Sequence, residues 1–244
     1  MITPRWQLPD SPLRADVLAA EGAGLTLVVV SASAIRGGLH LTVAYPVAAG
    51  VLFLGVSLAA IGFLAIAHPY DRFGPANQVT LLRAVVTALV GSLVFQPPTE
   101  ASALVAVGAS LLVAALDGVD GWLARRERMT SAFGARFDME VDALLILSLS
   151  ALAYVHGKAG AWVLLSGLLR YAFVAAGWLV PWFRRPLPAS RRRQAICVAQ
   201  VIGLVLVMVP AVAWPASAFV GAAALALLAF SFLVDTLWLW RHAP

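Results

Sequence analysis

Long apolar stretches divide the chain into segments that are separated by short polar loops. A helix needs about 20 mostly apolar residues to cross the hydrocarbon core of a bilayer. The eight predicted segments are 17–35, 41–67, 78–95, 101–123, 139–156, 160–183, 194–213 and 216–240. The first is the weakest, because Glu21 and several small residues interrupt it. The pattern predicts an all-α fold, a polytopic membrane helical bundle of about eight transmembrane helices.

The composition supports a membrane protein. Of the 244 residues, 61% are hydrophobic and only 12% are charged, and the charged share is about half of what a soluble domain carries. Such a chain would expose a largely apolar surface, which lipid tails accept and water does not. A single cysteine, Cys197, excludes an internal disulfide. The length fits one compact membrane domain.

The basic residues predict how the helices cross the membrane. If residues 1–16 are cytoplasmic and the segments alternate, thirteen arginines fall on the cytoplasmic side, and the far side receives only Arg36 and Lys158. Cytoplasmic loops are enriched in Lys and Arg, so both termini are expected in the cytoplasm. The expected location is a bacterial inner membrane, with the active site on the cytoplasmic side. The net charge of +5 is explained by this bias, and no nucleic-acid partner is expected.

Four aspartates lie within a short and otherwise apolar stretch. Asp117 and Asp120 are spaced i,i+3 near the end of one predicted segment, and Asp138 and Asp142 are spaced i,i+4 at the start of the next. Each pair shares a helix face, and a loop of about a dozen residues brings the pairs together. Carboxylates this close need cations to remain ionised. Mg²⁺ or Mn²⁺ are the expected partners, and four carboxylates could hold two ions.

Small and basic residues accompany the aspartates. Gly121 and Gly134 lie on the same helix faces and leave space for a ligand, and Arg125 can point at a phosphate. Together, a metal bound by carboxylates, an arginine and the open space beside the glycines indicate a site for a diphosphate. The alternative is that the acids form helix-end ion pairs with Arg125, Arg126 and Arg128, but four regularly spaced aspartates exceed what capping requires.

The full segment resembles the signature of the CDP-alcohol phosphotransferase family. Residues 117–125 read DGVDGWLAR, and Gly134, Asp138 and Asp142 follow at the family's spacing. Upstream, Asn77, with Thr80 and Arg83 at steps of three, resembles the start of the family's first core helix. Asn77 is also a reasonable N-cap. The resemblance implies a six-helix core over 71–244. The segment 1–70, with two predicted transmembrane helices, has no assigned function.

The resemblance also implies a role for each motif residue. Asp117, Asp120 and Asp138 would bind the metal ions, and Asp142 would bind metal and act as the general base. The implied contacts to the CDP donor are Asn77, Thr80, Gly121, Arg125, Ser131 and Gly134. Two Mg²⁺ or Mn²⁺ ions and a homodimer are expected on the same grounds.

The activity so implied is transfer of a phosphatidyl group from CDP-diacylglycerol to a small polar alcohol, with release of CMP. Arg170, inside a predicted helix, and Arg191, at the start of another, are candidates for binding a phosphorylated acceptor, since an arginine at membrane depth indicates an anionic partner. Arg191 is equally explained by topology or by membrane lipids. Two alternatives remain: a transferase that passes the phospho-aminoalcohol group of CDP-choline or CDP-ethanolamine to diacylglycerol, and a divalent-cation transporter or inactive scaffold.

Overall fold

A computed structural model describes residues 12–61, 64–185, 187–188 and 190–242. Over these residues the regular structure is entirely helical, which confirms the predicted fold class. The α-helices are α1 (Leu13–Leu39), α2 (Ala44–Ile61), α3 (Leu64–Ala67), α4 (Pro75–Ser92), α5 (Glu100–Arg126), α6 (Ala132–Val155), α7 (Leu165–Leu179), α8 (Arg191–Met208) and α9 (Ala216–Arg241). Short 3-10 turns occupy Leu93–Phe95, Ala161–Leu164 and Pro181–Arg184.

Each of the eight predicted segments contains one long helix. Among the described residues, six helical segments are long and apolar enough to cross a membrane, which makes the chain an integral membrane protein. The remaining two, α6 and α8, have the length but carry charged residues in their N-terminal turns. In α8 these are three consecutive arginines, Arg191 to Arg193, and in α6 they include the two downstream aspartates of the motif.

Three boundaries differ from the sequence-based expectation. The connection between the two aspartate pairs is much shorter than a dozen residues, because α5 continues to Arg126 and α6 begins at Ala132. Helix α4 begins at Pro75, after Gly74 with a φ of 82°, so Asn77 lies inside the first turn and is not the N-cap. The predicted segment 41–67 contains two helices, α2 and α3, and residues 62–63 between them lie outside the described residues.

The chain divides into two compact units. The first comprises Met1–Pro97 and Gly108–Leu145, and within it α1, α2 and α4 pack against one another. Gly24 of α1 allows a close approach, since a Cβ there would lie 2.6 Å from the Phe53 ring of α2. The buried Tyr45 of α2 donates a hydrogen bond to the carbonyl of Leu89 in α4 at 3.0 Å. The N-terminal helices thus directly support α4.

The second unit comprises Pro98–Val107 and Ile146–Pro244. Its α8 and α9 pack against each other, and Gly203 brings them close, since a Cβ there would lie 2.9 Å from Ala224. Small residues at such contacts are typical of membrane helices. At one end of the pair, Lys158 Nζ donates hydrogen bonds to the carbonyls of Val209, Pro210 and Val212 at 2.8 to 3.1 Å. The lysine therefore satisfies carbonyl groups at and beyond the end of α8.

Candidate active site

Helix α4 carries three polar residues on one face. Its start is set by Gly74, whose positive φ ends the preceding segment, and by Pro75 at the first helical position, where a missing N–H costs nothing. From there Asn77, Thr80 and Arg83 follow at steps of three residues, so they lie near one another along the helix surface. All three are buried. They face the helices that carry the aspartates, within the first unit.

The four aspartates lie in the same unit, two on α5 and two on α6. The exposed fractions of their side chains are 8% for Asp120, 24% for Asp142, 37% for Asp138 and 41% for Asp117. Asp120 therefore lies on the buried side of the cluster, and the other three carboxylates are partly exposed. A ligand has access from the side of Asp117 and Asp138.

Arg83 contacts all four carboxylates. Its Nη1 lies 2.6 Å from Asp120 Oδ2 and also contacts Asp138 Oδ1, and its Nη2 lies 2.8 Å from Asp117 Oδ1. The same Nη2 is 2.6 Å from Asp142 Oδ1. The Arg83 side chain is only 1% exposed. A buried guanidinium with several donors in a fixed plane is well suited to join carboxylates that come from different helices.

Thr80 supports the most buried of these carboxylates. Its hydroxyl lies 3.1 Å from Asp120 Oδ2, the oxygen that also accepts from Arg83, and 3.2 Å from the carbonyl of Ala76. Threonine can donate only one hydrogen bond. In this arrangement its hydroxyl is directed at protein acceptors, so it fixes the orientation of Asp120.

Asn77, Ser131 and Gly134 meet where α6 begins. Asn77 donates its side-chain N–H to the carbonyl of Phe73. A Cβ on Gly134 would lie 3.0 Å from Asn77 Oδ1 and 3.4 Å from Ser131 Oγ, so the glycine permits a tight contact between α6 and α4. Ser131 is the N-cap of α6, because its Oγ accepts the Gly134 N–H at 3.0 Å.

Gly121 and Arg125 lie on the face of α5 that begins with Asp117. The Arg125 side chain folds back over the glycine, and a Cβ on Gly121 would lie 3.3 Å from Arg125 Nη1. Arg125 is exposed, so this guanidinium can move to a ligand with little loss of packing. The space above Gly121 is thus shared with an exposed cationic group.

The residues present fit a divalent cation. Carboxylate oxygens of Asp117, Asp120 and Asp138 lie within 4.8 Å of one another, and such an all-oxygen set is what Mg²⁺ and Mn²⁺ prefer. Asp142 adjoins this group through Arg83. When all four carboxylates are ionised, the single charge of Arg83 offsets only one of them, and bound cations would offset the rest.

The proposed acceptor residues belong to the second unit. Arg170 is half-buried in α7, and Arg191 is exposed at the start of α8. The neighbours of Arg191 are engaged: Arg192 Nη2 lies 2.5 Å from Asp235 Oδ1, and Arg193 Nη1 lies 3.3 Å from the same oxygen. The roles of Arg170 and Arg191 stay predictions.

The roles of two residues at the site were not predicted from the sequence. Arg83 is part of the family resemblance, but its contact with every aspartate of the motif was not predicted. The available signal was a lone arginine in an apolar helix, since such a charge needs a partner. His68 has no metal-ligand spacing with another histidine in the sequence and gives no signal of a site there, yet its ring contacts Ser131.

Comparison with known families agrees with this geometry. The family model described as CDP-alcohol phosphatidyltransferase matches residues 73–236, about two thirds of the chain. No solved structure matches the chain. The chain therefore belongs to the CDP-alcohol phosphatidyltransferase family, a group of membrane transferases that bind CDP-alcohols and lipids and are generally metal-dependent. Membership supports a role in transferring a phospholipid headgroup from a CDP-alcohol.

Proposed function

We propose that this protein transfers the phosphatidyl group of CDP-diacylglycerol to a small polar alcohol and releases CMP. The observation that carries the proposal is the convergence of all four motif carboxylates on one buried guanidinium. Concentrating this much charge in apolar helices is costly. A metal-assisted site for a diphosphate substrate gives a reason to maintain it.

The proposed reaction is a single displacement at phosphorus. The acceptor hydroxyl oxygen forms a bond to the phosphorus that carries diacylglycerol, and the bond from that phosphorus to the bridging oxygen breaks. The electron pair stays on the phosphate of CMP, and the hydroxyl proton goes to Asp142. Asp142 suits a general base for two reasons. Its Oδ1 is held 2.6 Å from Arg83 Nη2, and its side chain remains 24% exposed, so a substrate hydroxyl can reach it.

The aspartates would hold the metal. Asp117, Asp120, Asp138 and Asp142 are the proposed ligands of Mg²⁺ or Mn²⁺, with two ions in the site. Bound ions would neutralise the diphosphate and the charge that develops on CMP. Arg83 contacts the carboxylates of both α5 and α6, and these contacts would organise the ligand set in advance.

The donor would be held by the residues around the cluster. Arg125 is the proposed direct contact to phosphate, since it is exposed and lies over Gly121. Gly134 is proposed to shape the α6 side of the donor site by permitting the close contact with Asn77 of α4. Asn77, Thr80 and Ser131 are proposed to act at the edge of the donor site, where their side chains already bind protein groups.

The remaining assignments extend the same proposal. Arg170 and Arg191 would bind an anionic acceptor such as a phosphorylated polyol. The region 71–244 would form the catalytic core, with 1–70 as an N-terminal addition. We propose a homodimer in a bacterial inner membrane, with the active site and both termini cytoplasmic. There the lipid tails of the donor remain in the bilayer while a polar acceptor arrives from water.

The test is CMP release by the purified protein in detergent. Assays would contain CDP-diacylglycerol, Mg²⁺ or Mn²⁺, and one of glycerol 3-phosphate, inositol phosphate, inositol, serine or no acceptor. Asp117→Ala removes a cluster carboxylate. Glu100→Gln is the matched control, because Glu100 is an exposed acid at the other end of the same helix.

CMP release that requires one acceptor, persists in Glu100→Gln and disappears in Asp117→Ala would support the proposal and name the product. Release only with CDP-choline or CDP-ethanolamine and diacylglycerol would replace it with an aminoalcohol transferase. Absence of CMP release with every donor, together with metal-ion flux in vesicles, would favour a transporter.

A further inference from the structure

His68 lies just before the part of the chain that matches the family, and it is buried, with 7% of its surface exposed. Both ring nitrogens have partners. Nδ1 lies 3.1 Å from Ser131 Oγ, and Nε2 lies 2.9 Å from the carbonyl oxygen of Arg72. The ring also makes edge contacts with Tyr70 and Phe133. The histidine thus joins the segment before α4 to the start of α6.

The partners determine the direction of each hydrogen bond. A carbonyl oxygen can only accept, so the Nε2 of His68 carries the hydrogen. In a neutral imidazole Nδ1 is then an acceptor, and it receives the hydroxyl hydrogen of Ser131. The Ser131 oxygen in turn accepts the Gly134 N–H at 3.0 Å. The hydroxyl of Ser131 is therefore oriented by His68 and accepts from the backbone of α6.

This chain of hydrogen bonds ends at the donor site. Gly134 is in tight contact with Asn77 of α4, and Asp138 and Asp142 follow it at successive steps of four residues on the same helix. Any rotation or shift of the first turn of α6 therefore moves both carboxylates relative to Arg83. His68 contributes to the position of this turn.

Other hydrogen bonds of segment 68–73 also hold it against the neighbouring elements. The Tyr70 hydroxyl lies 3.1 Å from the carbonyl oxygens of both Arg128 and Thr130, in the loop between α5 and α6. The Phe73 N–H donates to Asp16 Oδ2 of α1 at 2.7 Å. The segment 68–73 is thus tied to α1 on one side and to the α5–α6 loop on the other. A cavity of about 490 Å³ lies between this segment and the loop, lined by residues 69–72 and 127–129.

We propose that His68 is a positioning residue for the donor site, which acts by orienting Ser131 and fixing the first turn of α6. The inference rests on the proposed transferase function. It assigns a task in catalysis to the N-terminal region that precedes the family match. It also places Ser131 in a supporting role, with its hydroxyl hydrogen committed to His68.

Two amide substitutions separate the two hydrogen bonds of His68. His68→Asn places an amide oxygen near the position of Nδ1 and can still accept from Ser131. His68→Gln places an amide nitrogen near the position of Nε2 and can donate to the Arg72 carbonyl, but it loses the acceptor for Ser131. Ser131→Ala removes the same hydrogen bond from the other side, together with the hydrogen bond from the Gly134 N–H, and leaves the histidine ring in place. His40→Asn is the matched control, because His40 is exposed and its φ of 54° is one that asparagine tolerates.

The readout is steady-state CMP release with CDP-diacylglycerol and the active acceptor. We expect His68→Gln to raise the KM for the donor about 5- to 10-fold, as for loss of one buried hydrogen bond, with the acceptor KM unchanged. Ser131→Ala should raise the donor KM at least as much, because it also loses the hydrogen bond from the Gly134 N–H. His68→Asn and His40→Asn should stay within about twofold of the unsubstituted protein. The double variant His68→Gln/Ser131→Ala should be no worse than Ser131→Ala alone, because Ser131→Ala already lacks the contact with His68.

A donor KM in His68→Gln equal to that of the unsubstituted protein would overturn the proposal. Equal impairment of His68→Asn and His68→Gln would also overturn it, since the ring would then act by packing alone. Ser131→Ala removes only a hydroxyl, so it tests the interaction even where a histidine variant unfolds.

Hydrogen–deuterium exchange separates this inference from the proposed function. If the unsubstituted protein releases no CMP with any acceptor, the proposed function fails. His68 is then judged by the exchange of peptide 131–137, which contains the Gly134 amide. Faster exchange in His68→Gln, with His68→Asn unchanged, supports the positioning role. Equal exchange in both overturns it.

Discussion

Arg83 Nη2 lies 2.6 Å from Asp142 Oδ1, although the two residues are separated by 59 positions in the sequence. The contact joins the middle of α4 to the last aspartate of the motif on α6. Because the same guanidinium contacts the other three aspartates, it links charged side chains that come from three helices. The organisation of the candidate site therefore depends on a residue outside the aspartate motif.

Removal of the guanidinium should destabilise the protein most when divalent cations are absent. Arg83→Met leaves four neighbouring carboxylates without their shared cation, and breaking a buried ion pair costs about 3–5 kcal/mol. Arg83→Lys keeps the charge but lacks the planar set of donors, so an intermediate loss is expected. Thermal unfolding in detergent with EDTA measures the effect, and Mn²⁺ should restore part of it. Arg36→Met, at an exposed arginine of α1, is the control; equal melting temperatures for Arg83→Met and the control would contradict this role.

The hydroxyl of Thr80 should strengthen metal binding through Asp120. Thr80→Val keeps the shape of the side chain and removes the hydrogen bond to Asp120 Oδ2. Groups that orient a metal ligand typically change affinity by about 10- to 100-fold, and we expect the lower end because Arg83 still holds the same oxygen. Titration with Mn²⁺, followed by electron paramagnetic resonance, gives the affinity. Thr80→Ser should restore most of it, and an affinity in Thr80→Val equal to that of the unsubstituted protein would show that Thr80 has no such role.

Gly134 and Gly118 offer a matched pair of glycines. A Cβ on Gly134 would lie 3.0 Å from Asn77 Oδ1, whereas a Cβ on Gly118 would meet nothing within 4 Å. Gly134→Ala therefore requires the Asn77 side chain or the first turn of α6 to shift by a few tenths of an ångström, and we expect about a tenfold loss in kcat/KM, as small misplacements near a catalytic site commonly cost this much or more. Gly118→Ala should leave CMP release unchanged and slightly stabilise α5. Similar rates for the two variants would contradict the tight contact at Gly134.

Arg170 should affect the acceptor more than the donor. If the acceptor carries a phosphate, Arg170→Ala removes a charged contact and should raise the acceptor KM about tenfold or more, while the donor KM changes little. The measurement is CMP release with each substrate varied in turn at saturating levels of the other. Equal changes in both KM values, or none, would remove Arg170 from the acceptor site.

The sequence predicted the part of the site that depends on helix periodicity. Spacings of three and four residues placed the aspartates in pairs on shared faces, and the structure brings both pairs together. Their meeting point on Arg83 depends on how α4 packs against α5 and α6, which periodicity along one helix does not contain. The resemblance associates Ser131 with the donor, which stays a prediction; its capping of α6 and its contact with His68 were not predicted, because tertiary packing sets the partners of a short polar side chain. The N-cap expected at Asn77 was wrong because α4 begins at Pro75, after Gly74.

The central claim is that the four-carboxylate cluster transfers a phosphatidyl group with Asp142 as the base. The most direct measurement compares CMP release with binding of CDP-diacylglycerol in Asp142→Asn, at saturating Mg²⁺ and acceptor. The account predicts a loss of turnover of about 100-fold or more, as for removal of a general base, while the donor still binds within a few-fold of the unsubstituted protein. Turnover that survives in Asp142→Asn would contradict the assignment of Asp142, and an unsubstituted protein that binds the donor but never releases CMP would contradict the function itself.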